Sequence, residues 1–96
     1  MFDKLKNLME IKKQADRLKQ ELGNVTEEIQ EVKGIRIVIT GSQHFKSLEI
    51  DPTLLGAENK VQLENDLLKS LNSAVKKSQE IAAQKMKALM PGFPGL

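Results

Sequence analysis

The period of the apolar positions changes twice along the chain, dividing it into helix, sheet and helix. Over residues 3–22, Leu8, Ile11, Ala15, Leu18 and Leu22 recur at three- and four-residue spacings and draw one stripe along a helix. Asp3 is placed to cap its start, and Gly23 with Asn24 to stop it. A helix of about 20 residues spans ~30 Å, more than a small sheet can cover, so part of the stripe needs another partner. The same spacing fits heptad a and d positions. Leu8, Ile11, Ala15, Leu18 and Leu22 are therefore candidate contacts of a homodimer.

At Gly34 the period falls to two. Ile35, Ile37 and Ile39 alternate with Arg36, Val38 and Thr40, which reads as a β-branched strand with one apolar face and one wetter face. Gly34 and Gly41 bracket it at positions suited to positive φ. A second run puts Leu48 and Ile50 on one face and Glu49 and Asp51 on the other. Phe45 is out of phase with Leu48, which predicts a bulge near the start of that strand. Gly41-Ser42-Gln43-His44 links the two runs as a hairpin. A hairpin with one greasy face is marginal in water and must be covered; the flanking helices are the cover.

Residues 25–31 fit two patterns. Leu22, Val25, Ile29 and Val32 would continue the helical stripe, yet Val25 and Ile29 also share a strand face. The stop signal at Gly23-Asn24 favours a first strand, closed by a tight turn near Val32-Lys33-Gly34. Glu27, Glu28 and Glu31 then form an acidic edge that discourages strand addition.

Asp51-Pro52 ends the sheet, because the residue before a proline is pushed away from helix. Asn59 and Gln62 resemble a capping box. A second helix is expected over residues 60–89, with Leu67, Leu71, Ala74, Val75, Ala82 and Leu89 on its apolar face. Ser78 weakens that face, and Lys85 interrupts it, so the helix is expected to leave the body there. Two prolines and two glycines follow in 91–96, which predicts a single domain over 1–90 and a flexible tail.

Composition narrows the function. With 96 residues, no Cys, no Trp and no Tyr, the core is small and aliphatic, without disulfides or thiolate chemistry, and an intracellular home is expected. No apolar run has the ~18 residues of a membrane span, and no membrane partner is expected. Net charge is +2, distributed as +2 over 1–22, −3 over 23–58 and +3 over 59–96. On the first helix Lys6, Lys13 and Arg17 lie opposite the apolar stripe, with Glu10 beside them and Lys12 and Lys19 on its flanks. On the second, Lys69, Lys76 and Lys87 lie opposite the apolar face, with Glu80 among them and Lys77 to one side. Such stripes serve equally as solvated faces.

No catalytic constellation is visible. His44 stands alone in a turn, and Glu49 and Asp51 read as the wet side of a strand. No phosphate-binding glycine loop and no metal-ligand spacing is present. The expectation is no enzyme, no cofactor, no metal and no small-molecule substrate.

The run Ile35-Arg36-Ile37-Val38-Ile39-Thr40-Gly41, followed by Lys46-Ser47-Leu48-Glu49-Ile50-Asp51-Pro52-Thr53-Leu54-Leu55, resembles the YbaB/EbfC family of bacterial nucleoid-associated DNA-binding proteins. Leu71-Asn72-Ser73-Ala74, Lys85-Met86 and the Met-Pro-Gly-Phe tail extend the resemblance over nearly the whole chain. The chain departs from many members in lacking a glycine-rich link before its second strand, where only Gly34 is present.

The resemblance implies an α+β domain of order α-β-β-β-α with a three-stranded antiparallel sheet, dimeric, its helices projecting like tweezers. It also implies duplex DNA binding of low sequence preference in the cytoplasmic nucleoid, without catalysis. It does not assign the contact residues. The candidates read from the stripes are Lys6, Lys12, Lys13 and Arg17, with Lys69, Lys76, Lys77, Lys85 and Lys87, acting on phosphates. No aromatic side chain is interleaved for base stacking, and no short recognition helix offers base readout. The alternative is a dimeric protein-interaction scaffold without direct DNA binding, which the small net charge favours.

Overall fold

The computed structural model describes the backbone of residues 2–89 and the side chains of 4–88. Helix α1 (Phe2–Asn24) leads into strands β1 (Thr26–Ile29), β2 (Ile35–Thr40) and β3 (Phe45–Ile50), and helix α2 (Lys60–Leu89) closes the order. The expected α-β-β-β-α arrangement is therefore present, and residues 25–31 supply a strand rather than more helix. The expected tail, 91–96, lies outside the described residues. So does the side chain of Leu89. Helix α1 opens at Phe2, so Asp3 sits within its first turn instead of at the cap.

The sheet is antiparallel with order β1-β2-β3. Its pairing slips between Val38 and Ile39, where Ile39 faces Phe45 and Val38 faces Ser47, so Lys46 is the extra residue of the bulge that the phase of Phe45 predicted. Ile35, Ile37 and Ile39 are fully buried beneath α2, with Ile29, Leu63, Leu67, Leu71 and Ala74 packed around them. Burying each isoleucine contributes roughly 1.5–3 kcal/mol, so β2 is the centre of the core.

Helix α2 presents Ser70, Ala74 and Ser78 to the sheet, all buried and spaced one turn apart. Small side chains on this line let the helix lie close over the isoleucines, and the larger Leu67 and Leu71 pack beside it. Ser78 does not weaken the face as its polarity suggested. Its hydroxyl donates to the Thr40 carbonyl at 2.7 Å and accepts from the Gln43 amide at 3.1 Å, tying α2 to the hairpin. Ser70 has no such partner.

Two glycines are dictated by space. Gly34 has φ +93°, and a Cβ there would stand 2.8 Å from Leu54 Cδ1. Gly41 was expected to need positive φ, but among the described residues the glycines with positive φ are Gly34 and Gly56. At Gly41 the constraint is crowding by Leu22 and Ile81, where α1, the hairpin and α2 meet. Its N–H donates to the carbonyls of Leu22 and Val25, each at 3.0 Å. The left-handed position of the hairpin is taken by Gln43, at φ 65°.

The capping box at the start of α2 does not form. The chain enters that helix through a short 3₁₀ turn, Ala57–Asn59, already wound before Lys60, and the Gln62 amide donates instead to Asp66. Thr40, expected on the wet face of β2, is buried because the hairpin folds back over it. Its hydroxyl accepts from the amides of Ser42 and His44.

Candidate nucleic-acid interface

Helix α1 has no Gly or Pro before Gly23, and its last turns pack against α2. Leu18 and Leu22 are 8% and 9% exposed, buried against Ala82, Met86 and the hairpin. Ala15, Leu18 and Leu22 line one hollow with Ala82 and Met86, Gly41 lies between Leu22 and Ile81, and Lys85 reaches Glu21, so the last turns of α1 meet the C-terminal part of α2. The first half of α1 consequently runs on past the end of α2, and every side chain from Lys4 to Arg17 is exposed. The chain is drawn out to 66 Å against 21 and 18 Å in the other directions. Of the stripe expected to meet a second copy, Leu18 and Leu22 are used inside the chain, whereas Leu8, Ile11 and Ala15 remain open.

The structure sorts the basic candidates. Lys6, Lys12, Lys13 and Arg17 are exposed on the projecting half of α1, and Lys69, Lys76 and Lys87 are exposed on the outer side of α2. Lys77 is half-buried. Lys85 is also half-buried and reaches Glu21 of α1 at 3.6 Å, so it ties the helices together where the sequence predicted that α2 would leave the body. The interruption of the apolar face is real, but its charge is met by a carboxylate from the facing helix. Among the described residues the remaining ion pairs involve Lys60 with Glu64, and Arg36 with Glu28 and Glu49. The other candidate cations therefore have no carboxylate within salt-bridge reach among those residues.

Spacing follows from helical rise. Lys6, Lys13 and Arg17 occupy about 16 Å of α1, and Lys69, Lys76 and Lys87 about 27 Å of α2. The longer stripe matches roughly eight base-pair rises of ~3.4 Å. The α2 stripe lies opposite the apolar face that packs on the sheet, whereas the α1 stripe lies on a half-helix whose side chains are all exposed.

The chain belongs to the YbaB/EbfC DNA-binding family. The family's model matches residues 1–93. The chain is 30% identical to a nucleoid-associated protein of Dictyoglomus turgidum, with 94% of each chain covered. It is 32% identical to one of Pelotomaculum thermopropionicum, over 100% of this chain and 94% of the relative. A nucleoid-associated protein of Ruminiclostridium cellulolyticum is 29% identical, over 100% and 84%.

The outer face of the sheet carries the other charge cluster. Arg36 bridges Glu28 at 3.1 Å on β1 and Glu49 on β3, so one guanidinium spans all three strands. The hydrogen bond that Arg36 donates to Glu49 and the Glu49 charge, followed by the bond to Glu28 and its charge, hold the Arg36 pKa above the ordinary guanidinium value. Asp51 accepts from the amide and hydroxyl of Thr53, which lowers its carboxyl pKa and starts the turn that leaves the sheet. His44 is exposed, with Nδ1 3.4 Å from the Ser42 hydroxyl. Among the described residues no three His, Cys, Asp or Glu side chains converge as a metal site, and no helix is long and apolar enough to cross a membrane.

Sequence reasoning missed the Lys85–Glu21 tie and the role of Ser78, because both depend on which residue of a distant element lies opposite. A basic residue on an apolar helical face was the available signal for the first.

Proposed function

We propose that this is a nucleoid-associated protein that binds duplex DNA as a homodimer, mainly through phosphate contacts and with little sequence preference. The observation that carries the reading is the projecting half of α1, whose Lys6, Lys12, Lys13 and Arg17 are all exposed. A cationic arm that reaches past the domain body is suited to lie along a polyanion, and membership in a DNA-binding family points to the same polymer. The names of the relatives support work in the nucleoid, and hence in the cytoplasm. Lys69, Lys76 and Lys87 add a second stripe, with the half-buried Lys77 at its side, whereas Lys85 is engaged by Glu21.

Dimerisation is supported by apolar side chains the single chain leaves bare, Leu8 and Ile11 among them. It also doubles a modest charge. A net +2 per chain is low for a dedicated DNA binder, so the function depends on concentrating cations on the arms. The test is a gel shift on random-sequence duplex across a salt series. Binding at low salt that weakens steeply as salt rises is expected. Absence of binding at low salt would give the role to a protein-interaction scaffold instead.

A further inference from the structure

We propose that the projecting half of α1 lies flat on an anionic phospholipid surface, with its apolar patch in the acyl boundary and its lysines among the headgroups. This goes beyond the DNA reading and stands whether or not the same arm binds DNA.

The patch is compact and bare. Leu5, Leu8, Met9 and Ile11 are 62%, 64%, 61% and 44% exposed, on a stretch where every side chain from residue 4 to 17 is open. Successive helical residues turn by about 100°, which gathers these four on one side of α1. Leu18 and Leu22, further along the stripe, are buried where α1 meets α2. The stripe thus passes from contact within the chain to open hydrocarbon. Phosphate contacts with DNA use the cations and leave this hydrocarbon unused.

Charge selects the occupant. Residues 4–13 hold four lysines and one acidic residue, Glu10. Lys4 and Lys12 fall on the same side of the helix as Leu8, about one turn before and one turn after it. They close the two ends of the patch. Lys6, Lys13 and Glu10 lie toward the opposite side. Among the described residues none of these lysines has a carboxylate within salt-bridge reach. Asp16, the next acidic residue, lies beyond the patch.

This pattern disfavours a second arm as the cover. Two arms laid antiparallel about Leu8 would set Lys4 of one against Lys12 of the other, and parallel arms would set each lysine against itself. An anionic bilayer surface meets both requirements. Its acyl boundary takes the patch, while the lysine stems lie along the hydrocarbon and lift their ammonium groups to the headgroup phosphates. A helix with one apolar side and a lysine-rich polar side lies in the plane of such an interface. No described helix is long and apolar enough to cross a membrane, and lying flat requires none. With the patch against lipid, Lys6, Lys13 and Arg17 face away from it.

The test is co-sedimentation of the full chain with vesicles of phosphatidylglycerol and phosphatidylcholine in equal parts, and with vesicles of phosphatidylcholine alone. Binding to the first is expected, and at least about tenfold weaker binding to the second. Leu5→Gln with Met9→Gln should weaken binding to the mixed vesicles at least about tenfold. Circular dichroism should show its helix content unchanged, and a gel shift should show its DNA binding unchanged. Should that variant lose helix, Leu5→Ala with Met9→Ala removes the same hydrocarbon with the best helix former. Lys4→Glu should weaken vesicle binding several-fold. No binding to the mixed vesicles overturns the proposal. So does equal binding to both vesicle types, or a folded Leu5→Gln, Met9→Gln variant that binds vesicles as the parent does. If that variant instead loses DNA binding and keeps vesicle binding, the patch belongs to the duplex. A parent that binds vesicles but not DNA removes the DNA reading and leaves this one.

Discussion

The Ser78 hydroxyl donates to the Thr40 carbonyl at 2.7 Å and receives the Gln43 amide at 3.1 Å, so one buried side chain of α2 fixes both sides of the β2–β3 hairpin. Ser70, two turns earlier on the same buried line, makes no hydrogen bond. One residue type thus occupies two equivalent positions with opposite energetic consequences. Removing the Ser78 hydroxyl takes one donor from the Thr40 carbonyl and one acceptor from the Gln43 amide, which still bond to each other at 3.2 Å, whereas removing the Ser70 hydroxyl relieves an unmet one.

The first prediction follows from that contrast. Ser78→Ala should destabilise the fold by about 0.5–1.5 kcal/mol, lowering the melting temperature by roughly 4–8 °C for each kcal/mol in a domain of this size. Hydrogen exchange at the Gln43 amide should accelerate as the hairpin loosens. Ser70→Ala should be neutral or stabilising. Thermal melts of the two variants side by side check the sign; equal losses would show that both hydroxyls serve only to fill space.

Much of this fold was legible in the sequence because periodicity reports local geometry. The alternation of Ile35, Ile37 and Ile39 announced β2, and the phase break at Phe45 announced the bulge. What remained hidden depends on contacts between distant segments. Nothing near Ser78 in sequence reveals that Thr40 lies opposite, and Lys85 gives no sign that Glu21 meets it. The basic stripes were legible as faces of helices. Their standing as an exposed arm was not, because that depends on where α2 ends relative to α1.

Gly34 should tolerate no side chain. Its φ of +93° is strained for an L-residue, and a Cβ would press on Leu54 Cδ1 at 2.8 Å. Gly34→Ala should therefore destabilise by more than about 1 kcal/mol. Chemical denaturation should show a lower midpoint with an unchanged slope. Shortening the obstructing residue as well, with Leu54→Ala, should not restore stability, since the backbone strain persists and the half-buried Leu54 no longer packs against the core.

Asp51 gives a pH prediction. The amide and hydroxyl of Thr53 hold its pKa below the ordinary 3.8. A carboxylate depressed by folding contributes stability above its unfolded pKa and loses it as pH falls through the folded value. The contribution of Asp51 should thus be complete above pH about 4–5, begin to fall near the ordinary carboxylate pKa, and be gone only below the lowered folded value. Titration followed by NMR should give an Asp51 midpoint below 3.8, and Thr53→Val should move it upward. Removing one of the two donors leaves the amide hydrogen bond in place, so the rise should be partial.

The arm of α1 supplies the functional test. Lys13 and Arg17 are exposed one turn apart, on the side of α1 away from Leu18, and neither has a carboxylate within salt-bridge reach among the described residues. Replacing both with Glu should leave the fold unchanged while removing two cations and adding two anions. If they bind phosphates, affinity for every duplex should fall together, and the slope of log K against log salt should flatten by about 0.9 for each phosphate no longer neutralised. Different parent duplexes should compete within roughly tenfold of one another, far from the ~10³ or more that separates specific from non-specific sites. Lys69→Glu with Lys76→Glu tests the α2 stripe independently, without disturbing Lys85, whose partner is Glu21. Weakened binding from the first pair alone would assign the DNA to the arm, and weakened binding from both would assign it to the two stripes jointly. If both double variants bind as the parent does, the stripes are solvated faces, and the scaffold reading replaces the DNA-binding one.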